Sequence, residues 1–430
     1  EPLTGGTYFP PKDEGGRVGF PTVLKRVHGV WQENPDETAK NAAAGFVELK
    51  KYFEGLHVLE AGKGELKREL ITEAATKTAG MMDLVWGGMG TDNKFPQVSV
   101  LRFLLQQGDK KAKEAALLTC RRMLDGGIHD QVSGGFHRYA VDREWLVPHF
   151  EKMLYDQAQL VELYLDAWLM TGEEDFAAAV RSTTAYVLRD LTHPEGGFFC
   201  AQDAQSEGKE GKCFCWTLAE LKKILSEEEL ALAQEVLGVT EKGNFFDHSD
   251  PEALPDQNVL HFKVRREDLD AGKRAKVSAL LAKLEVVKAK RVPPATDDKV
   301  LASWNGLMIG ALARASHVLS EPEYLKAAEK AHRFIKAKLW DGEGTLYHRW
   351  REGERDASKQ SGSYLHLLRG SRMLYEVTLD PAYLGFAIEL ADQAKVLFYD
   401  DKNGGFFQGE TRVDLVLRLK GQFDGALPTE

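Results

Sequence analysis

Residues 126–157 carry a high density of side chains that can transfer protons or hold polar ligands. They are interleaved with Gly-Gly pairs, Trp145 and Pro148, and a solvated loop would lack the aromatic residue. This composition predicts chemistry or binding, with a buried structural polar network as the alternative. The candidates are His129, Asp130, His137, Arg138, Tyr139, Asp142, Arg143, Glu144, His149, Glu151, Lys152, Tyr155 and Asp156.

Two histidines of this stretch are the candidate acid and base. An imidazole titrates near neutral pH, so His137 and His149 suit a reaction that removes a proton next to a carbonyl and returns it. If Pro148 begins a helix, Glu151 and Tyr155 share one of its faces.

Three acids complete the predicted catalytic set. We expect Glu151, Asp156 and Asp203 to orient the histidines or to hold substrate hydroxyls. Asp203 closely follows Gly-Gly-Phe-Phe at residues 196–199, which predicts either the lip of a pocket or a solvated turn. Histidines and acids can bind zinc, but no His-x-x-x-His pair is present. We therefore predict neither a metal nor a cofactor.

A second motif lies at residues 297–306. Carboxylates combined with Trp and Asn are typical of a pocket for a sugar-like polyol, where a ring stacks on the sugar and polar groups bond its hydroxyls. The alternative is capping at a helix start, where the dipole favours acids, with a core tryptophan. The predicted substrate-binding residues are Arg138, Tyr139, Tyr155, Asp297, Asp298, Trp304 and Asn305.

Repeated helices and glycine turns must position these side chains. Apolar residues recur at intervals of three or four, and each series predicts one helix face. The interval from Gly134 to Gly196 is 62 residues, as is that from Gly342 to Gly404. That interval fits one helical hairpin and predicts a mainly α fold, an (α/α) toroid with short β-hairpins in its loops. The alternative is an unrelated helical array. The helix series are 154–168, 325–339 and 384–398.

The composition of the chain argues against some classes of binding partner and favours one cellular compartment. The chain has 430 residues and a net charge of −10, which argues against nucleic acid as the main partner. No run of about 20 apolar residues is present, so we predict no membrane span. Only 4 cysteines occur, which favours a reducing, cytoplasmic setting. The oligomeric state is not predicted.

The N-terminal part differs from the rest. Residues 7–9 have strand propensity, and Pro21 opens a predicted helix that reaches Trp31. A polar helix is predicted over residues 36–55, followed by a linker at 60–64. Residues 218–290 read as an insertion into the helical repeat.

Several motifs resemble the spermatogenesis-associated protein 20 family. They span nearly the whole chain, and the two long motifs around His149 and Trp304 are specific. The matches are Gly5-Gly-Thr-Tyr-Phe-Pro-Pro11, Gly134-Gly-Phe-His-Arg-Tyr139, Val147-Pro-His-Phe-Glu-Lys-Met-Leu-Tyr-Asp156, Gly196-Gly-Phe-Phe199 with Asp203, and Asp297-Asp-Lys-Val-Leu-Ala-Ser-Trp-Asn-Gly-Leu-Met308.

The resemblance implies a thioredoxin-like domain joined to a six-hairpin (α/α) toroid similar to N-acylglucosamine and cellobiose 2-epimerases. Residues 1–60 would then be the last strand and helix of the thioredoxin-like domain plus a linker helix. Residues 61–430 would be an incomplete toroid with about ten of the twelve ring helices. No cysteine precedes Cys120, so we expect no thioredoxin-type thiol chemistry.

The chain also departs from the family pattern. The family's acids before a late helix are replaced around residues 361–364, and its second acid after Asp203 is Gln205. Our first hypothesis is a small sugar-like ligand with epimerase or isomerase chemistry. The replaced acids favour a second one, a non-catalytic binding or redox-partner module. A third, glycoside hydrolysis, requires two facing carboxylates among Glu151, Asp156, Asp203 and Asp298.

Overall fold

The structure is a computed structural model that describes residues 1–6, 8–57, 67–413, 415–420 and 425–428. The chain divides into two compact units. Unit 1 comprises residues 1–65 with 397–421, and unit 2 comprises residues 66–396 with 422–430.

Helices dominate the described residues. They are α1 (Phe20–Glu33), α2 (Pro35–His57), α3 (Arg68–Gly80), α4 (Val98–Gln106), α5 (Lys110–Asp125), α6 (Leu154–Thr171), α7 (Glu174–Asp190), α8 (Leu218–Ile224), α9 (Glu227–Val236), α10 (Ala271–Lys288), α11 (Ala302–Val318), α12 (Pro322–Leu339), α13 (Ser361–Thr378) and α14 (Pro381–Phe398), with a 3-10 turn at Arg266–Asp268.

The strands are short and lie in the connections between helices. They form antiparallel pairs or three-stranded sheets in the orders β1-β2, β3-β4-β7, β5-β6 and β8-β9-β10. Their bounds are β1 (Tyr139–Ala140), β2 (Pro148–His149), β3 (Lys152–Met153), β4 (Ala201–Gln202), β5 (Gln205–Ser206), β6 (Lys209–Glu210), β7 (Thr296–Asp297), β8 (Val300–Leu301), β9 (Arg349–Arg351) and β10 (Glu354–Arg355).

Unit 2 has an inner and an outer layer of helices. The inner helices α4, α6, α11 and α13 pack side by side, and α5, α7 and α12 return along their outer side. Almost every residue in the first three turns of α6 and α11 is buried, as expected for helices enclosed by neighbours. The predicted mainly α toroid class is confirmed, and so are the helices predicted at 154–168, 325–339 and 384–398.

The inner helices hold the glycine turns by a repeated side-chain clamp. Gln157, the fourth residue of α6, accepts a hydrogen bond from the amide of Phe136 (2.8 Å) and donates one to its carbonyl (2.7 Å). Asn305, the fourth residue of α11, does the same for Phe198 at 2.8 and 2.9 Å. Each clamp fixes a Gly-Gly-Phe turn against the start of an inner helix.

A third clamp of the same kind is formed by Tyr364, within residues 361–364. These residues begin α13, and Tyr364 is its fourth residue. The Tyr364 hydroxyl accepts a hydrogen bond from the amide of Leu346 (2.8 Å) and donates one to the carbonyl of Gly344 (3.1 Å). Ser361, Ser363 and Tyr364 are therefore buried neutral groups at the start of α13.

Residues 218–290 contain α8, α9 and α10, which share a hydrophobic cluster with Trp216. Leu221, Leu280 and Leu284 are fully buried in this cluster. The segment thus supplies its own core between β6 and β7, consistent with an insertion.

The N-terminal strand prediction is wrong where it can be judged. Tyr8 and Phe9 are not in a strand, and Thr7 lies outside the described residues. The Phe9 ring packs on Phe20 instead, with centroids 5.6 Å apart, so the aromatic residues serve side-chain packing. The helices predicted at 21–31 and 36–55 are present as α1 and α2, and the linker predicted at 60–64 lies outside the described residues.

Within the described part of the chain, no helix is both long and apolar enough to cross a bilayer.

Candidate active site at the mouth of the helical ring

The segment before α6 is extended rather than helical. Pro148 lies in β2, paired with β1, and β3 pairs with β4, so α6 begins only at Leu154. The helix start predicted at Pro148 is wrong because strand pairing, of β2 with the nearby β1 and of β3 with the distant β4, overrides the local preference. In an extended chain alternate side chains point to opposite sides. His149 and Glu151 therefore lie on one side, and Phe150 and Lys152 on the other.

His149 is held between two carboxylates. Its Nδ1 lies 2.8 Å from Glu210 Oε1, and its Nε2 lies 3.3 Å from Glu151 Oε2. Its ring also stacks on Tyr139, with centroids 5.1 Å apart. The hydrogen bonds to Glu151 and Glu210 raise the pKa of His149 to about 9. At neutral pH this side chain is an imidazolium with both N–H groups engaged.

A chain of contacts links His149 to α11. Arg138 Nη1 donates to Glu151 Oε2 (2.9 Å), and the Arg138 charge opposes the rise in the pKa of the Tyr155 hydroxyl that burial causes. The Tyr155 ring meets Trp304 at a centroid distance of 4.8 Å and an interplanar angle of 70°. Tyr155 is the second residue of α6 and Trp304 the third of α11.

These linked residues all lie at or near the N-terminal ends of inner helices. We call them the mouth cluster: Arg138, Tyr139, His149, Glu151, Tyr155 and Trp304.

Asp156 lies directly behind this cluster, with only 5% of its surface exposed. No hydrogen-bond partner for its Oδ2 is found in the described part of the chain. Burial raises the pKa of Asp156 well above its usual range, although Arg138 opposes the shift. A buried carboxyl of this kind stays protonated at a pH where ordinary aspartates are ionised.

Phe95 extends the aromatic surface of the cluster. The backbone groups of Lys94 and Ala140 exchange two hydrogen bonds of 2.9 Å, which align the Phe95 loop with β1. The Phe95 ring then stacks on Tyr139 at 4.6 Å and remains 42% exposed. The Phe95 and Tyr139 rings therefore form an open aromatic surface beside His149.

A cavity of about 300 Å³ lies deeper along the inner helices. All four inner helices line it, through residues that include Arg102, Gln159, Leu307 and Arg369. Glu162 sits at its wall, bonded by Arg102 and by Arg369 Nη2 at 2.5 and 2.6 Å. Gln159, one helical turn beyond Tyr155, donates to the Tyr155 carbonyl (3.1 Å). The cavity volume is at the lower end of the range for small-molecule sites.

The structure places His137 in a different environment from His149. His137 is 1% exposed, its Nδ1 lies 2.9 Å from the Phe150 carbonyl, and its ring packs on Phe150 and Phe214. Burial keeps the pKa of His137 well below its usual range, so the imidazole is neutral. The neutral ring bonds the backbone between His149 and Glu151.

Asp203 and Asn305 also have local structural roles. Asp203 is exposed and its Oδ1 accepts the amide of Gln205 (3.1 Å), as in the solvated-turn alternative. Asn305 is fully buried in the clamp on Phe198.

Asp297 and Asp298 lie in and after β7, four or five residues before α11. Asp297 pairs with Lys299 (3.0 Å) and Asp298 with Arg351 (2.7 Å), and both acids are partly exposed. The sheet β3-β4-β7 joins Asp297 to the strand that precedes α6. These acids therefore lie at the edge of the site region, in ion pairs of their own.

Two residues of the site region, Glu210 and Glu162, are absent from the predictions made from the sequence. Glu210 reaches His149 from β6, 61 residues away, and no local pattern marks it. Glu162 lies within the apolar run of α6. An acidic residue at a position that the helix must bury is unusual, so Glu162 could have been identified from the sequence. No group of three or more His, Cys, Asp or Glu placed to hold a metal occurs among the described residues.

Solved structures in which the chain follows a similar path include sugar-processing enzymes. Their similarity to this chain in sequence and structure is low. A sugar epimerase from a ruminal bacterium is 15% identical with a TM-score of 0.35, over 80% of this chain and 91% of that one. A family 76 glycoside hydrolase of Bacteroides thetaiotaomicron is 12% identical with a TM-score of 0.42, over 73% and 63%. Similarity at this level says nothing about the activity of this chain. No protein-family profile matches it.

Sequence relatives are closer. Across its full length the chain is 34% identical to spermatogenesis-associated protein 20 of Homo sapiens and of Mus musculus, over 479 aligned residues. It is 32% identical to an uncharacterized protein of Caenorhabditis elegans, again over its full length. The chain spans 60% of the length of the two mammalian proteins and 63% of the nematode one. On this full-length match, the chain belongs to the spermatogenesis-associated protein 20 family.

Proposed function

We propose that the mouth cluster and the cavity beneath it bind a small sugar-like ligand. The observation that carries this proposal is the contact of Tyr155 with Trp304 beside the Arg138–Glu151 ion pair. Aromatic faces pack on the apolar face of a sugar ring, and an adjacent guanidinium and carboxylate bond its hydroxyls.

The protonation states favour a ligand that receives protons. His149 is an imidazolium at neutral pH, and burial favours the protonated form of Asp156. In the proposed epimerase or isomerase chemistry, His149 supplies a proton to a sugar oxygen or carbon. Glu151, whose pKa is lowered by His149, is the adjacent proton acceptor. We assign His137 a positioning role, because it holds the backbone between these two groups.

The non-catalytic alternative is supported by one specific observation. Both ring nitrogens of His149 face carboxylates, so neither carries a free lone pair for proton removal. A module that only binds the ligand needs the charge and the aromatic surface but no base.

One screen separates these possibilities. Monosaccharides and disaccharides are tested for a rise in the melting temperature of the chain, and each hit is incubated in D₂O and followed by proton NMR. Conversion or solvent-deuterium incorporation supports the enzyme, and stabilisation alone supports the binding module. If no sugar raises the melting temperature, the proposal is wrong.

The variant that tests the role of His149 is His149→Gln, which keeps a hydrogen-bonding side chain without the charge. The matched control is His317→Gln, an exposed histidine near the far end of α11. We expect turnover to be lost in the first variant and retained in the second.

A further inference from the structure

A second cavity lies away from the mouth cluster, on the other side of the extended segment 148–153. Its volume is about 330 Å³. It lies between α7, α10 and the loop at residues 213–214, and two prolines at 293–294 form part of its wall. This space is large enough for a small metabolite.

Two buried lysines face this cavity and share one carboxylate. Lys152 is 0% exposed and Lys288 is 8% exposed. Their Nζ atoms lie 2.8 and 2.6 Å from the same oxygen, Asp130 Oδ2. The other oxygen of Asp130 accepts the amides of Val132 and Ser133 at 3.1 and 3.0 Å. The buried triad of Asp130, Lys152 and Lys288 therefore carries one positive charge in excess.

The remaining contacts of the two ammonium groups are neutral. Lys152 Nζ also donates to the Gly134 carbonyl, and Lys288 Nζ to the Ser133 hydroxyl, both at 2.8 Å. The Phe214 ring lies 5.0 Å from Lys152 Nζ and 4.5 Å from Lys288 Nζ. Carbonyls, hydroxyls and rings solvate a cation but do not cancel its charge.

The other charges around the cavity are paired with one another nearer the solvent. Arg189 lies 2.6 Å from Asp190 and 3.5 Å from Glu285. Arg291 donates to backbone carbonyls and lies 3.5 Å from the half-exposed Glu220. Arg189 is thus shared by two acids, so the groups nearer the solvent carry one net negative charge, and Asp190 favours the charged form of Lys152. The ammonium charge that lacks a carboxylate partner of its own lies in the buried triad.

The positive charge of the buried triad can be neutralised in two ways. The first is loss of a proton from one of the lysines. Burial lowers the pKa of Lys152 to about 8, so this amine retains most of its charge at neutral pH. The other way is an anion bound in the cavity, which restores neutrality and offers acceptors for the ammonium hydrogens.

We propose that this cavity is a binding site for a small oxyanion, the carboxylate or phosphate group of a metabolite. The two lysines bind the oxyanion, and Phe214 and the two prolines contact the body of the ligand. This site is separate from the proposed sugar site, since Lys152 points away from His149 and Glu151.

The test uses the whole chain with inorganic phosphate and acetate as probes. Each is titrated at pH 7 and constant ionic strength, with chloride as the reference, while the melting temperature is followed. We expect a saturable rise of several degrees with at least one probe, and the more effective probe identifies the group as phosphate or carboxylate. No saturable rise with either probe overturns the proposal.

Variants locate the binding. Lys288→Met removes the surplus charge and leaves the Asp130–Lys152 pair, so the rise should disappear. Lys288→Gln keeps a donor toward Asp130 and serves if the first variant does not fold. The matched control is Lys276→Met, an exposed lysine on the same helix, which should respond as the wild type does. An undiminished rise in folded Lys288 variants shows binding elsewhere and overturns the proposal.

Discussion

The Tyr155 ring on α6 meets Trp304 on α11 with their centroids 4.8 Å apart. Both residues stand in the first turn of an inner helix, so the contact joins two neighbouring hairpins at the mouth of the ring. Arg138, whose charge acts on the Tyr155 hydroxyl, pairs with Glu151, and Glu151 in turn contacts His149. One contact thus connects the aromatic and the ionised parts of the proposed site.

His149 should stabilise the fold only while it is protonated. Its pKa is about 9 in the folded chain, against the ordinary 6.5. The stabilisation is complete below pH 6.5 and is lost as the pH rises through 9. We expect the unfolding free energy of wild type minus that of His149→Gln to shrink between pH 6.5 and 9.5. A difference that is constant over this range, measured by urea unfolding, contradicts the charged pairing.

Asp156 should have the opposite effect. Its pKa is raised in the folded chain, so the folded state keeps a proton that the unfolded state releases, and stability falls as the pH rises above about 4. Asp156→Asn has no such dependence. It should therefore gain stability relative to the wild type as the pH rises from 4 to 7. Equal pH profiles for the two proteins would mean that Asp156 is ionised.

The buried amide clamp should be worth more than an ordinary hydrogen bond. Asn305→Ala removes the partners of both backbone groups of Phe198, which are buried. We expect a loss of about 2–4 kcal/mol in unfolding free energy, because unsatisfied buried groups cost about 1–3 kcal/mol each. The control Gln234→Ala removes an exposed amide from α9 and should change stability by less than about 0.5 kcal/mol. Equal effects of the two variants would refute the clamp.

Two glycines in helices should respond to alanine with opposite signs. A Cβ on Gly306 would lie 2.4 Å from backbone atoms of His366 and Leu367 in α13, whereas one on Gly385 meets nothing within 4 Å. Gly306→Ala should therefore destabilise the chain by about 1–3 kcal/mol through overpacking. Gly385→Ala should stabilise it by about 0.5–1 kcal/mol through helix propensity. Thermal unfolding of both variants checks the close approach of α11 and α13.

Much of the helical layout could be predicted from the sequence. Helix α6 starts at the first residue of its apolar series, because a helix enclosed by neighbours shows its periodicity directly. The segment before it was misjudged, since Pro148 pairs with the nearby Ala140 and Lys152 pairs with Gln202, a residue far along the chain. Glu210 was missed for the same reason. His137 and His149 looked equivalent as residue types, yet burial makes one neutral and two carboxylates make the other charged.

The most direct test of the central claim is saturation-transfer NMR of sugar binding to the wild type, Trp304→Ala and Trp304→Phe. The probes are glucose, mannose, N-acetylglucosamine and cellobiose, and His317→Gln is the control. We predict that at least one sugar shows transfer with the wild type and the control, retains part of it with Trp304→Phe and loses it with folded Trp304→Ala. Transfer that is absent from the wild type, or that survives in Trp304→Ala, would contradict a sugar site at the mouth cluster.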